Sequence, residues 1–150
     1  MVADVLVAPR RWLHALLLLG FAGAGVELLL MSHYEDAWQW APLVLIALAL
    51  VALFSLAAAP GSGMLRVFRL TMVLCIGAGL LGVILHFNGA AEFQREMDPS
   101  IGIVSLAQKA LRAKAPPVLA PGLMAQLGLL GLLFSYRHPS ETRAERGAQS

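Results

Sequence analysis

The sequence predicts an all-α integral membrane protein, a bundle of four transmembrane helices with a short interfacial helix in the loop between the third and the fourth. Of its 150 residues, 59% are hydrophobic and only 13% are charged. The apolar residues gather in four runs, each near the roughly 20 residues that one membrane crossing needs. Lipid is therefore the expected solvent of a single membrane domain that covers residues 1–150.

The predicted spans and the segments between them follow from these runs and from the residues that bound them. The spans cover about residues 12–32, 42–59, 70–87 and 118–136, with a connection at 88–117 and a tail at 138–150. Pro42 and Pro60 bound the second span, as residues that punctuate helices. The tail is polar and has no apolar period, so we expect it to be disordered.

The connection contains a pattern that is typical of a short amphipathic helix. Asp98 and Pro99 form a helix-start signal, because Asp caps helices and Pro suits the first helical position. From Ile101 to Ala113, apolar residues recur near helical spacing and cations gather on another face. Such a helix suits the membrane interface.

The distribution of basic residues predicts the orientation. Seven of the eleven Lys and Arg residues lie on the side of the two termini, and four lie on the other side. The first group is Arg10, Arg11, Arg66, Arg69, Arg137, Arg143 and Arg146; the second is Arg95, Lys109, Arg112 and Lys114. The positive-inside rule then predicts both termini in the cytoplasm. Arg exceeds Lys nine to two, which indicates a bacterial source and hence the inner membrane.

Two classes of function are excluded by residue content. The net charge is +2, with no dense basic cluster interleaved with aromatic residues, so no nucleic-acid partner is expected. Cys75 is the only cysteine, which rules out an intramolecular disulfide. No nucleophile lies beside a general base in a usable arrangement, and the sequence therefore predicts a protein that is not an enzyme.

In two predicted spans, small residues share a helix face with one ionisable residue. They are Gly20, Gly23 and Glu27 in the first span and Gly79, Gly82 and His86 in the third. Small residues at this spacing mark close contact between transmembrane helices. We therefore predict that the first and third spans pack together, with Gln126 of the fourth span at the depth of Glu27.

Glu27 is the most informative residue, because a carboxylate inside a span is by default a functional hypothesis. One interpretation is a transition-metal site on the extracytoplasmic side. Its candidate ligands are Glu27, His33, Glu35, His86 and Glu92. Imidazole and carboxylate groups together suit zinc, iron, copper or manganese, although no established metal-binding motif supports the set.

Two alternatives stay open. In the first, Glu27 is a structural acid that is hydrogen-bonded to Gln126 or paired with His86, and the protein is a homo-oligomer or an accessory or assembly subunit of a larger membrane complex. In the second, His33 with His86 and His14 with His138 ligate b-type haem. The 19 residues between His14 and His33 rotate them by about 100° around one helix, which argues against haem.

Overall fold

The computed structural model describes residues 7–113 and 118–140, and this part of the chain is all-α. Its five helices are α1 (Val7–Leu30), α2 (Trp40–Ala58), α3 (Ser62–Met97), α4 (Ile103–Leu111) and α5 (Gly122–Ser135), with a 3-10 turn at Ala37–Gln39. By length and composition, three helices can cross a membrane: Ala8–Leu30, Ala37–Ala58 and Ser62–Met97. The helix in the predicted fourth span is apolar but has only 14 residues.

The helices run up and down the bundle and define its two ends. The extension end carries the loop 31–39 and the last third of α3. The terminal end carries the start of α1, the turn at 59–61 and the end of α5. α1 runs toward the extension end, α2 returns, α3 runs out again and α5 returns, so each helix is antiparallel to the one before it in the bundle.

α1 ends in a backbone motif that fixes the following loop. Ser32 adopts a left-handed conformation with φ 53°. The backbone N–H of His33 donates to Leu28 O at 2.8 Å, and that of Ser32 donates to Leu29 O at 3.1 Å. These two bonds form a Schellman motif, which satisfies carbonyls that a helix end otherwise leaves unpaired. His33 is thereby held just beyond the apolar run.

α3 is much longer than the predicted span 70–87. Its 36 residues extend about 54 Å at roughly 1.5 Å per residue. The prediction that residues 88–117 form a separate connection was therefore wrong for residues 88–97, which continue the helix. Their polar side chains end the apolar run, but Ala90 and Ala91 are buried against Leu106 and Ala110 of α4. That contact stabilises the extension as a helix.

α4 confirms a short helix in the connection, but the predicted start was wrong. The helix begins at Ile103 with Gly102 as its N-cap, whereas Asp98 is the C-cap residue of α3. The carboxylate of Asp98 instead accepts hydrogen bonds from the Ser100 backbone N–H and hydroxyl, which lower the pKa of Asp98. The interfacial location of α4 stays a prediction, and residues 114–117 lie outside the described part.

The tightest helix contact joins α3 and α5. A methyl group added at Gly79 would lie 2.5 Å from the backbone N of Ala125, and one added at Gly82 would lie 2.6 Å from Pro121 Cβ. One added at Gly128 would lie 2.6 Å from Met72 O. These glycines let the two backbones approach to a distance that no other residue permits.

The predicted pairing of the first and third spans was wrong. α1 packs on α2 and α5, and α3 packs on α2, α4 and α5. Gly20 meets Leu127 of α5, while Gly23 has nothing within 4 Å of an added methyl group. Gly20, Gly79 and Gly82 do lie at close helix contacts, but all three contacts are with α5 or the turn before it, because glycine spacing does not say which helix fills a face.

Two arginines hold the C-terminus of α5 at the terminal end. Arg69 of α3 donates to the Ser135 hydroxyl at 3.1 Å and to the Ser135 carbonyl at 2.6 Å. Arg10 donates to the carbonyls of Tyr136 and Arg137. Cations suit this position because the last carbonyls of a helix carry partial negative charge.

The residues that follow α5 differ from the predicted disordered tail at its start. His138 and Ser140 are buried, with His138 Nδ1 2.9 Å from the Ser140 hydroxyl. The rest of the predicted tail, residues 141–150, lies outside the described residues.

Candidate functional site

The predicted metal ligands do not assemble. Within residues 7–113 and 118–140, no group of three or more His, Cys, Asp or Glu side chains is placed to hold a metal ion. Glu27, Glu35 and Glu92 are exposed, on α1, on the loop 31–39 and on the α3 extension respectively. The predicted Glu/His cluster was therefore wrong as a single site.

The helix register explains why Glu27 and Gln126 do not meet. Gly20 lies level with Leu127, because an added methyl group at Gly20 would touch its side chain. Glu27 follows Gly20 by seven residues, and Gln126 precedes Leu127 by one on an antiparallel helix. At roughly 1.5 Å per residue, Glu27 lies about 9 Å closer to the extension end than Gln126. The prediction of equal depth was wrong.

The pairing of Glu27 with His86 fails for a different reason. These two residues are on α1 and α3, and the main contacts of α1 are with α2 and α5 instead. Among the described residues, the Glu27 carboxylate has no hydrogen-bond or ion-pair partner. Glu92 follows His86 by six residues, so it is rotated by about 240° around α3 and cannot share a ligand with that imidazole.

His33 and His86 are the predicted ligands that the structure brings near one another. Both are half-buried. Partial burial lowers the pKa of the His33 imidazole, and the charge of His86 lowers it further. Both effects favour the neutral form of His33.

The two histidines of the terminal end belong to an aromatic cluster. The rings of His14 and His138 both pack on Phe134, with centroid separations of 5.6 and 5.4 Å. Phe68 meets the same phenyl ring edge-on at 5.7 Å. The sequence grouped His14 with His138 as a haem-ligand pair; the structure gives both of them packing contacts with one phenylalanine.

Glu27 and Gln126 lie on one continuous exposed surface of α1 and α5. We call it the Glu27–Gln126 face, and its residues are Leu19, Gly23, Val26 and Glu27 of α1 and Leu123, Gln126 and Leu130 of α5. The two helices are neighbours. Seven residues bring a helix almost back to the same side, so Glu27 lies on the side of α1 by which Gly20 packs on α5.

The sequence contained a signal for this surface that the glycine spacing concealed. Apolar residues of α1 recur at spacings of four and three along two opposite sides of the helix. Leu17, Phe21, Ala24 and Leu28 form the side that packs in the bundle, and Leu16, Leu19, Gly23, Val26 and Leu30 form the exposed side. The exposed stripe alone suits hydrocarbon as well as helix packing, and Glu27 is the residue that distinguishes this side of α1.

Within the ranges 41–58 and 67–85, the other two long helices have no such polar group on their exposed surfaces. Every exposed residue of α2 is apolar from Ala41 to Ala58, and every exposed residue of α3 from Val67 to Leu85 is apolar or glycine. The Ser55 hydroxyl of α2 donates to Val51 O at 2.7 Å, so it is satisfied within its own helix. These surfaces, which we call the apolar faces, suit hydrocarbon.

An open cleft of about 560 Å³ lies outside the bundle proper, between α4 and the extension of α3. Its walls combine apolar side chains with an amide, an acid and a cation. The lining residues are Phe87, Asn88, Ala91, Glu92, Arg95, Ile103, Leu106 and Ala107. Glu92 thus belongs to the cleft and not to the surroundings of Glu27.

The helices define the chain as a small, helical, multi-pass membrane protein, and the Glu27–Gln126 face lies on one side of it. Comparison with protein-family models, with curated proteins and with solved structures finds no match.

Proposed function

We propose that this protein is a small non-enzymatic subunit that packs against another membrane protein through the Glu27–Gln126 face. The exposure of Glu27 and Gln126 at membrane depth carries the proposal. Polar groups in hydrocarbon are unfavourable unless paired, and they are usually directed into protein. Neither of these side chains has a partner among the described residues, so a neighbouring subunit is the natural source of one.

The short length of α5 also supports the Glu27–Gln126 face as the interface with a partner. Its 14 residues extend about 21 Å at roughly 1.5 Å each, against a hydrocarbon thickness of about 30 Å. We take α5 with the turn at 118–121 as a fourth crossing. Leu119 in that turn is 67% exposed, and a partner that covers this face would also cover the shortened end of the helix.

The proposed membrane is the bacterial inner membrane, with the terminal end in the cytoplasm. The positive-inside rule supports this orientation, since Arg10, Arg66 and Arg69 all lie at the terminal end. Trp38 is 80% exposed in the loop 31–39, where an amphipathic ring suits the opposite membrane surface.

A photo-reactive amino acid placed on different faces tests the proposal in native membranes. Leu19 and Leu130 sample the Glu27–Gln126 face, and Val51 and Val73 sample the apolar faces as matched controls. We expect a protein adduct of one discrete mass from the first two positions and none from the controls. That adduct should weaken when Glu27→Gln or Gln126→Leu is added.

Two results would contradict this function. Equal adduct yields from all four positions would show that the surface is not selective. Adducts of twice the 16.0 kDa mass of the chain, and of no other mass, would indicate a homo-oligomer in place of a subunit of a larger complex.

A further inference from the structure

We infer, on the basis of the proposed function, that a transmembrane helix of the partner contacts the Glu27–Gln126 face. This helix carries two polar groups. One is a basic side chain near its extracytoplasmic end, which pairs with Glu27. The other is a hydrogen-bonding side chain seven residues deeper, which meets Gln126. This chemistry, and not a second copy of the same chain, is the complement of the face.

The charge of Glu27 requires the basic group. A carboxylate in a low-dielectric environment is stable only when it is paired or protonated. In the described chain the arginines and lysines lie near the terminal end, on the extension of α3 or on and just after α4, among them Arg66, Arg69, Arg95 and Lys109. None is on α1 between Trp12 and Ser32. Within residues 7–113 and 118–140 no cation is placed to pair with Glu27, and we infer that a helix of the partner supplies it.

A second copy does not supply it. Two copies in one membrane have the same orientation, so a symmetric contact between their α1 helices places Glu27 of one copy at the same depth as Glu27 of the other. Two carboxylates that close disfavour ionisation of each other. Gln126 of the second copy lies about 9 Å deeper than Glu27 of the first, which is too far for a side-chain hydrogen bond across a helix pair.

The register gives the spacing on the partner helix. Residues that face the same way on a helix and are nearest to 9 Å apart are i and i+7, which are separated by about 10.5 Å. Gly23 lies at a depth between Gln126 and Glu27, and nothing lies within 4 Å of its missing side chain. The partner helix can therefore approach α1 closely between its two polar contacts.

Synthetic transmembrane peptides test this inference on the full-length protein in liposomes. The probe is a Leu/Ala helix with one Arg near one end and one Gln seven residues deeper; matched peptides carry Leu or Glu in place of Arg. Energy transfer between labelled protein and labelled peptide measures association. We expect the Arg peptide to bind about tenfold more tightly than the Leu peptide, and the Glu peptide to bind most weakly.

The variants locate the effect. Glu27→Gln should reduce the preference for Arg to less than about threefold, whereas Glu35→Gln, which changes an exposed acid outside the helices, should leave it unchanged.

Equal binding of the three peptides to the unaltered protein would overturn the inference. If the face-specific photo-adducts persist in that case, the subunit function stands and only the partner chemistry is wrong. Energy transfer between two labelled copies without peptide, lost in Glu27→Gln, would assign the face to a second copy and also overturn it.

Discussion

The two sides of the bundle differ in the polarity of the surface that they expose at membrane depth. On α2 and α3 the exposed surface is apolar throughout the spans, and the polar atom at Ser55 is satisfied within its own helix. On α1 and α5 the exposed surface carries Glu27 and Gln126. Lipid is a sufficient neighbour for the first side and an unfavourable one for the second. The comparison teaches that in such a protein an exposed polar residue is more informative than an exposed leucine.

The first test weakens the contact between α3 and α5, which joins the two sides of the bundle. Gly79→Ala should lower the free energy of unfolding by about 2–3 kcal/mol, because its methyl group would meet the Ala125 backbone, which cannot move aside cheaply. Gly77→Ala on the same helix has open space and should instead stabilise by about 0.5–1 kcal/mol. Unfolding in detergent micelles measures both.

Equal effects of these two alanines would contradict the α3–α5 contact. The register of α5 against α3 would then lose its support, whereas the depth difference between Glu27 and Gln126 depends on the separate contact of Gly20 with Leu127.

The second test releases α5 at the terminal end. Arg69→Gln should lower the free energy of unfolding by about 1–2 kcal/mol, because it removes charged hydrogen bonds to the Ser135 hydroxyl and carbonyl. Arg66→Gln, three residues earlier and exposed, should change it by less than about 0.5 kcal/mol. If the two variants are equally stable, the arginine does not anchor α5.

The third test removes the amide of Gln126 from the Glu27–Gln126 face. Gln126→Leu should leave the free energy of unfolding within about 0.5 kcal/mol, because Gln126 is exposed and has no partner among the described residues. It should weaken the lateral complex about threefold or more, since polar contacts between membrane helices contribute roughly 0.6–2 kcal/mol.

The reciprocal variant is Val73→Gln on α3, which adds an amide to an apolar face. It should create no adduct at neighbouring positions if the partner is specific. A new adduct there would mean that any exposed amide in this bundle recruits neighbours, and the contrast between the sides would lose its functional meaning.

Much of the bundle could be predicted from the sequence, because apolar run length alone determines which segments can cross a membrane. The positions of α1, α2 and the core of α3 follow from it. The extension of α3 to Met97 could not be predicted this way, since its stability depends on the contact of Ala90 and Ala91 with α4. A local pattern does not contain that contact.

The candidate site was harder to predict for a related reason. The sequence identified Glu27, His86 and Gln126 as unusual, but it grouped them by position along separate spans. Which residues meet depends on which helices are neighbours and on their register. The contact of Gly20 with Leu127 fixes both for α1 and α5 and places Glu27 and Gln126 at different depths, whereas His86 lies on α3.

The smallest expected effect tests the geometry at the extension end, where His33 of the loop 31–39 lies near His86 of α3. His86→Gln should raise the pKa of His33, because the charge of His86 disfavours protonation of His33 in the folded protein. The pKa should stay below 6.5, since burial is the larger cause and remains. In the unaltered protein, protonation of His33 then does not lower the free energy of unfolding above pH 6.5. As the pH falls through that value the free energy of unfolding decreases, because the unfolded chain binds the proton more readily than the folded protein does. Titration of the imidazole Cε1 proton by NMR measures the shift. An unchanged His33 pKa in the variant would mean that these two histidines are not near one another, and that the loop 31–39 does not reach α3.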